Sequence, residues 1–259
     1  MRLVLQTELE DIFDRGIGFI GSIDQKVIAI SQNGGHVYEI EEGKKSKHFR
    51  VRAPVFAFAT SVNGNYYVCH KEGDSCLIST VNGKRIRHFQ QLNFEPAAMV
   101  EYKNGLLVYG DDSSKHYSYT KRESFKVLIP KKNAPAIVKP YMAVHEGILY
   151  MASGHHVIAY KETPKGAFEE QWRREVERDS TGGIRGLCVD KNGGLYVLFK
   201  NTSQSTIHRF KGGQDKGIHR EFNHQIYEGL AIVDDAKTGK EMLYTTRDKS
   251  LVPIMAVWH

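Results

Sequence analysis

The chain has 259 residues, 41% of them hydrophobic and 25% charged, with a net charge of +6 and a pI near 9.0. That length supports one large core with nothing left over for a second, so a single domain over 1–259 is expected. No apolar run approaches the ~20 residues of a membrane-spanning helix, which argues against a membrane partner, and the basic balance permits an anionic one.

The first ten residues interrupt their apolar positions with Gln6, Glu8 and Glu10, the wrong pattern for an export signal. Three cysteines, an odd count, fit a reducing compartment. The expected location is therefore cytoplasmic, with an extracellular one left open. Residues 2–7 read as an isolated strand. Six repeats of short strands and polar turns follow. The first predicts strands at 18–23, 27–29, 36–41 and 47–51; the second at 55–62, 67–69, 76–81 and 85–90. The third places them at 97–102, 107–109, 116–120 and 125–130, and the fourth at 141–145, 149–151, 156–161 and 170–176. The fifth gives 185–189, 195–197, 206–210 and 217–222. The sixth gives 229–233, 243–245 and 253–258 and then stops.

Short strands recurring every ~40–50 residues are the pattern of a β-propeller. The first strands are rich in small residues, such as Phe56-Ala57-Phe58-Ala59 and Gly186-Leu187-Cys188, as suits crowding around an axis. Asn63-Gly64, Asn104-Gly105, Glu146-Gly147 and Asn192-Gly193 supply tight turns, because Asn and Gly tolerate positive φ. The sixth repeat lacks an outer strand and the N-terminal strand lacks an inner partner. The expected fold is an all-β, six-bladed propeller of four-stranded blades, its ring closed by the N-terminal strand. A hairpin symmetric about Glu72-Gly73 would set Cys69 opposite Cys76, where a bridge is conceivable.

Gly186-Leu187-Cys188-Val189-Asp190-Lys191-Asn192-Gly193-Gly194-Leu195-Tyr196-Val197 resembles an NHL repeat, and Gly229-Leu230-Ala231-Ile232-Val233-Asp234, leading to Met242-Leu243-Tyr244, resembles it more loosely. The resemblance implies a six-bladed ring like the one that ends TRIM-NHL proteins, binding proteins or single-stranded RNA on one face. No RING or B-box cysteine pattern is present, so ligase activity is not implied.

Loops on a rigid ring are natural binding residues. On the expected loop face lie His70, Lys71 and Asp74; Asp111, Asp112 and Lys115; His155; Lys200; and Arg247 with Asp248. At the channel mouth, Arg185 and Glu228 open neighbouring inner strands, either as an internal ion pair or as a site where Arg185 grips a carboxylate or phosphate. The outer strands of the first two repeats form a basic flank, with Lys47, Arg50, Arg52, Arg85 and Arg87 among its cations, facing solvent or a nucleic-acid backbone. Asp24, Asp190, Asp234 and Asp235 end inner strands on the opposite face and read as turn residues. His48, His88, His208, His219 and His224 read as solvated. Calcium needs several hard oxygen ligands; beyond Glu228 the channel-mouth positions are Pro, Gly or apolar, so no cofactor is expected. The preferred reading is a non-catalytic, monomeric binding ring for a protein or single-stranded RNA. The alternative is a channel-mouth enzyme, a lactonase-like hydrolase or a lyase, acting on a small anion.

Overall fold

A computed structural model describes residues 13, 16–23, 25–31, 33, 35–41, 44–51, 54–61, 64–82, 85–110, 113–118, 124–126, 140–177, 181–223, 227–234, 240–247 and 249–255. Its regular structure is all β. Six antiparallel sheets form a β-propeller: five have four strands and the last has three among the described residues. No helix of the described residues is long and apolar enough to cross a membrane. The expected closing strand, 2–7, lies outside the described residues.

The contacts divide the chain into two compact units, residues 1–92 with 222–259 and residues 93–221. The first unit holds sheet β1 (Phe19–Ile23), β2 (Lys26–Ile30), β3 (His36–Glu41), β4 (Lys44–Arg50), and sheet β5 (Val55–Thr60), β6 (Tyr66–Glu72), β7 (Ser75–Asn82), β8 (Arg85–Leu92). The second unit begins with β9 (Ala98–Glu101), β10 (Gly105–Gly110), β11 (Ser113–Ser118), β12 (Ser124–Lys126) and continues with β13 (Tyr141–His145), β14 (Ile148–Ser153), β15 (His156–Glu162), β16 (Phe168–Glu175). Its last sheet is β17 (Gly182–Val189), β18 (Leu195–Asn201), β19 (Gln204–Lys211), β20 (Gln214–Asn223). The three-stranded sheet, β21 (Glu228–Asp234), β22 (Glu241–Arg247), β23 (Ser250–Met255), belongs to the first unit.

The second strands are buried on both faces, which is why they read as unbroken apolar runs: every residue of β10 is buried. Neighbouring sheets of one unit share these faces. Between the sheets of β13–β16 and β17–β20, Ala152, Val157, Leu195, Val197, Phe199 and Phe210 form one core. Trp172 stacks on Phe210 with ring centroids 6.4 Å apart. Each fully buried Phe contributes on the order of 2–3 kcal/mol by area. Gly213 (φ +76) lies beneath that indole, where a Cβ would come within 2.9 Å of Trp172. In the first unit, Phe13 packs on Tyr38 at 5.0 Å, and its amide donates to Lys249 O at 3.1 Å, just before β23.

Among the described residues, three outer strands carry one extra residue against the third strand. Register breaks lie between Glu39 and Ile40, Ile78 and Ser79, and Ala159 and Tyr160. The extra residues are Ser46, Phe89 and Gln171. Such bulges raise local twist and blunt the exposed edge. Ser46 donates its hydroxyl to Glu39 O at 3.1 Å, which occupies a carbonyl at the break.

Two hairpins differ from expectation. Gly73 has φ +59 while Asp74 does not share the left-handed region, so Gly73-Asp74 forms the two-residue turn. Glu72 then pairs Ser75 and Cys69 pairs Ile78, leaving Cys76 opposite Lys71. The two cysteines are therefore not facing, and both are buried with no disulfide between them. In the third sheet the turn is Lys103-Asn104 (φ 44° and 54°), with Gly105 already in β10. Gly105 cannot bear a Cβ, which would sit 2.3 Å from Tyr117 O.

Candidate functional site

β17 starts before Arg185, because Gly182 and Gly183 already pair Asn201 and Lys200. Ile184 pairs Phe199 and Gly186 pairs Leu198, so Arg185 is an extra residue with no partner opposite. Its flanks are fixed. Ile184 and Leu187 are buried in the shared core, and the Ile184 amide donates to Gly154 O at 2.7 Å. The bulge thus re-aims a half-buried guanidinium from a rigid strand. Its Nε is enclosed without a hydrogen-bond partner among the described residues.

Glu228 opens β21 in the first unit at a comparable irregularity: it pairs Thr246, and the next pair is Ala231 with Tyr244. The hydroxyls of Thr246 and Thr245 donate to Glu228 O and Gly229 O at 2.6 and 2.8 Å, satisfying the carbonyls that the break frees. Gly229 has φ +70, and a Cβ there would meet Ile20 at 2.3 Å. β5 has the same feature at Phe56, between Val55 paired with His70 and Ala57 paired with Cys69. Register breaks near the start of inner strands therefore recur in both units.

The loop-face residues sort into two groups. Lys71 and Asp74 are exposed beside the Gly73 turn, and Lys200 and Arg247 are half-buried near the ends of β18 and β22. Lys115 reaches Asn93 Oδ1 at 3.2 Å and lies 5.5 Å from the Phe94 ring centroid. His70 and His155 turn inward. His70 belongs to β6, is 3% exposed, and its Nε2 meets Ser79 Oγ at 2.9 Å. His155 Nδ1 faces Val176 O and Glu177 O at 3.1 and 3.2 Å, which requires the proton on Nδ1, and its ring packs on Phe199 at 5.0 Å. Asp111, Asp112 and Asp248 lie outside the described residues.

His208 corrects the expectation of a solvated side chain. It is 6% exposed, with Nε2 3.1 Å from Glu177 Oε1 and 3.2 Å from Thr206 Oγ1. The Thr206 hydroxyl donates to the same carboxylate oxygen at 2.6 Å. Glu177 sits just after β16 with φ 47°, a conformation costly for a non-glycine residue. The buried His208 and Thr206 hold it there. Nothing in the local sequence distinguishes His208 from the exposed His88; only the depth of its strand does. The side chains of His48 and His219, and all of His224, lie outside the described residues.

Asp190 serves a turn, as expected. It is 1% exposed and accepts the amides of Asn192 at 2.9 Å and Gly194 at 2.6 Å, and the Tyr196 hydroxyl at 3.3 Å. Arg209 Nη2 lies 3.7 Å from its Oδ2. Burial, together with the Asp190 charge and hydrogen bond, pushes the Tyr196 phenol well above its ordinary range despite the opposing Arg209 charge. The Asp, Gly and Tyr of the NHL-like phrase are thus one hairpin lock. Asp234 is exposed, and Asp24 and Asp235 lie outside the described residues. Among the described residues no three His, Cys, Asp or Glu side chains converge as metal ligands.

The basic flank occupies two outer strands of the first unit. Lys44, Lys45 and Arg50 on β4 and Arg87 and His88 on β8 are exposed, and neither strand contains a carboxylate. The side chains of Lys47 and Arg85, and all of Arg52, lie outside the described residues. Ile86, 42% exposed, stands among these cations, whereas Phe89 turns inward onto Tyr67 at 5.5 Å.

No family profile and no curated protein matches the chain, so the NHL resemblance has no family match behind it. Solved structures do match. A putative gluconolactonase is similar with TM-score 0.68 at 15% identity, covering 98% of this chain and 92% of that one. A catalytically inactive variant of virginiamycin B lyase from Staphylococcus aureus, solved with quinupristin, gives 0.66 at 11% identity, covering 99% and 100%. The β-propeller domain of Cps50 (Swd1) from Myceliophteria thermophila gives 0.60 at 12%, covering 93% and 84%. Two carry enzyme names and one does not. At such identities the likeness establishes the six-bladed propeller fold and leaves the activity to this chain's own residues.

Proposed function

We propose that the protein is a binding propeller whose basic flank, strands β4 and β8, holds the backbone of single-stranded RNA. One observation carries this: Lys44, Lys45, Arg50, Arg87 and His88 stand exposed on two strands that contain no carboxylate. Cations serving only solubility are commonly interspersed with acids; a one-sign strip attracts a polyanion and gains from counterion release. Exposed Ile86 among them offers apolar contact to an unstacked base, which a duplex keeps inside. The exposed loop residues Lys71 and Asp74 mix signs and suit a phosphate track less well.

The test is fluorescence anisotropy with a labelled U-rich 12-mer across a salt series. Micromolar binding is expected, with a log–log salt slope of about −3 if four phosphates are neutralised at about −0.7 each. Replacing Lys44, Lys45, Arg50 and Arg87 by Gln should weaken binding at least tenfold and flatten the slope. Unchanged binding in that variant overturns the proposal. Tighter binding to duplex RNA, or to an acidic peptide, would reassign the partner.

A further inference from the structure

We infer that Arg185 anchors a separate site for a small molecule bearing a carboxylate or phosphate. Its neighbours of the same type set the standard. In the second unit Arg173 closes on Glu170 at 3.0 Å, Arg174 donates to Gly213 O and Arg173 O at 2.7 Å each, and Arg209 lies 3.7 Å from Asp190 and 5.7 Å from the Tyr196 ring centroid. Each of these guanidiniums is engaged by the protein. Arg185 alone of the four makes no hydrogen bond, ion pair or ring contact among the described residues.

That arrangement opposes stability. Enclosing part of a cation without a counter-charge among the described residues loses hydration that none of them replaces. The strand nevertheless spends a bulge on presenting it, between core residues that leave the backbone no slack. The guanidinium is also divided. Nε is sealed off, while Nη1 and Nη2, equally without partners among the described residues, are not among the enclosed atoms. The open end is a fork of parallel N–H donors, the shape that an oxyanion accepts end-on through two oxygens. The adjoining backbone is Gly183 against Gly154, so no side chain of either residue obstructs that side of the bulge. A preorganised, partly desolvated, uncompensated cation on a rigid strand is what a small oxyanion requires.

This site is independent of the RNA reading, and the experiment keeps the two apart. In 15N-labelled protein the enclosed Nε–Hε of Arg185 gives a resonance assigned by its loss in Arg185→Lys. Inorganic phosphate and citrate are titrated separately at ionic strength held constant with chloride. The expected result is a saturable shift with at least one of them, and which one names the anion class. The same shift should persist in the Lys44→Gln, Arg87→Gln double variant. In Arg185→Met the saturable response of neighbouring amides should vanish, while the ligand-free melting temperature stays level or rises, because no protein pair is broken. A shift that never saturates, a response retained in Arg185→Met, or a melting temperature several degrees lower in that variant overturns the proposal. If Arg185→Met fails to fold, Arg185→Lys decides: a point charge without the planar fork should bind at least fivefold more weakly, and equal binding in it overturns the proposal.

Discussion

On β4 and β8 of the first unit Lys44, Lys45, Arg50 and Arg87 are exposed, and neither strand contains a carboxylate. On β16 of the second unit Glu169, Glu170 and Glu175 alternate with Arg173 and Arg174, and Arg173 pairs Glu170. β20 likewise mixes Asp215, Lys216, Arg220 and Glu221. Both sets are outer strands facing the same structural demands. The second unit uses charge to tie itself together: Glu162 receives Tyr102 and Lys103, Glu177 receives Thr206 and His208, and Asp190 receives two amides and a phenol. In the first unit Lys44, Lys45, Arg50 and Arg87 are exposed. Charge gathered on carboxylates holds strands to their neighbours, whereas the exposed cations of β4 and β8 stay within reach of solvent.

The contrast between the units is tested hardest at Asp190. Asp190→Ala strips acceptors from two amides and a phenol beside a cation, and should cost ~3–5 kcal/mol, a fall of about 10 °C in a melting curve. A fall under about 3 °C would mean that the turn holds without its carboxylate. Glu177→Ala should cost about 2 kcal/mol, because Thr206 and His208 lose an acceptor in a buried setting. A double-mutant cycle with His208→Ala should show coupling, and additive losses would deny that the three act together.

The register of the core was legible and its exceptions were not. Two strands, 36–41 and 141–145, match expectation to the residue, because flanking turns and apolar runs bound them on both sides. Bulges such as the one at Arg185 are settled by which residue opposes which across the sheet, a tertiary fact with no local signature. His208 escaped because a period-two pattern assigns faces and says nothing about how deeply a strand is covered. Gly73, by contrast, does carry a local signal. A glycine at the first central position specifies the turn that pairs Glu72 with Ser75, and with it the separation of Cys69 from Cys76.

Smaller effects sharpen the contrast. In the first unit, the Tyr66 hydroxyl donates to buried Glu39 at 3.4 Å; burial first, then the Glu39 charge and hydrogen bond, push that phenol well up. Tyr66→Phe should cost about 1 kcal/mol by urea melt, less than the carboxylate ties of the second unit. For Glu162, burial raises the carboxyl pKa, but hydrogen bonds from Lys103 and Tyr102 and the charges of Lys103 and His116 outweigh it, holding the group below its ordinary 4.5. A folded-state value below the unfolded one adds stability that is present above pH 4.5 and lost as pH falls through the lower value. Glu162→Gln should therefore flatten the acid limb of the stability profile, and an unchanged limb would assign that limb to other carboxylates. The smallest effect belongs to the flank: Lys44→Gln with Arg87→Gln should move stability by under about 0.5 kcal/mol. A larger loss would show that these cations serve the fold.

The first unit is assembled from two stretches of chain, 1–92 and 222–259, with 93–221 running between them as one continuous piece. β1 packs against β21 through a core that joins Phe13, Val27 and Tyr38 to Val233, Met242 and Leu251. During synthesis the middle piece has all its own strands available while that core still lacks Val233, Met242 and Leu251. A ribosome working from the N-terminus would release a settled second unit beside an unfinished first one. The first unit would then close only when translation reaches β22 and β23, late and over long sequence distance, the slow kind of contact to make.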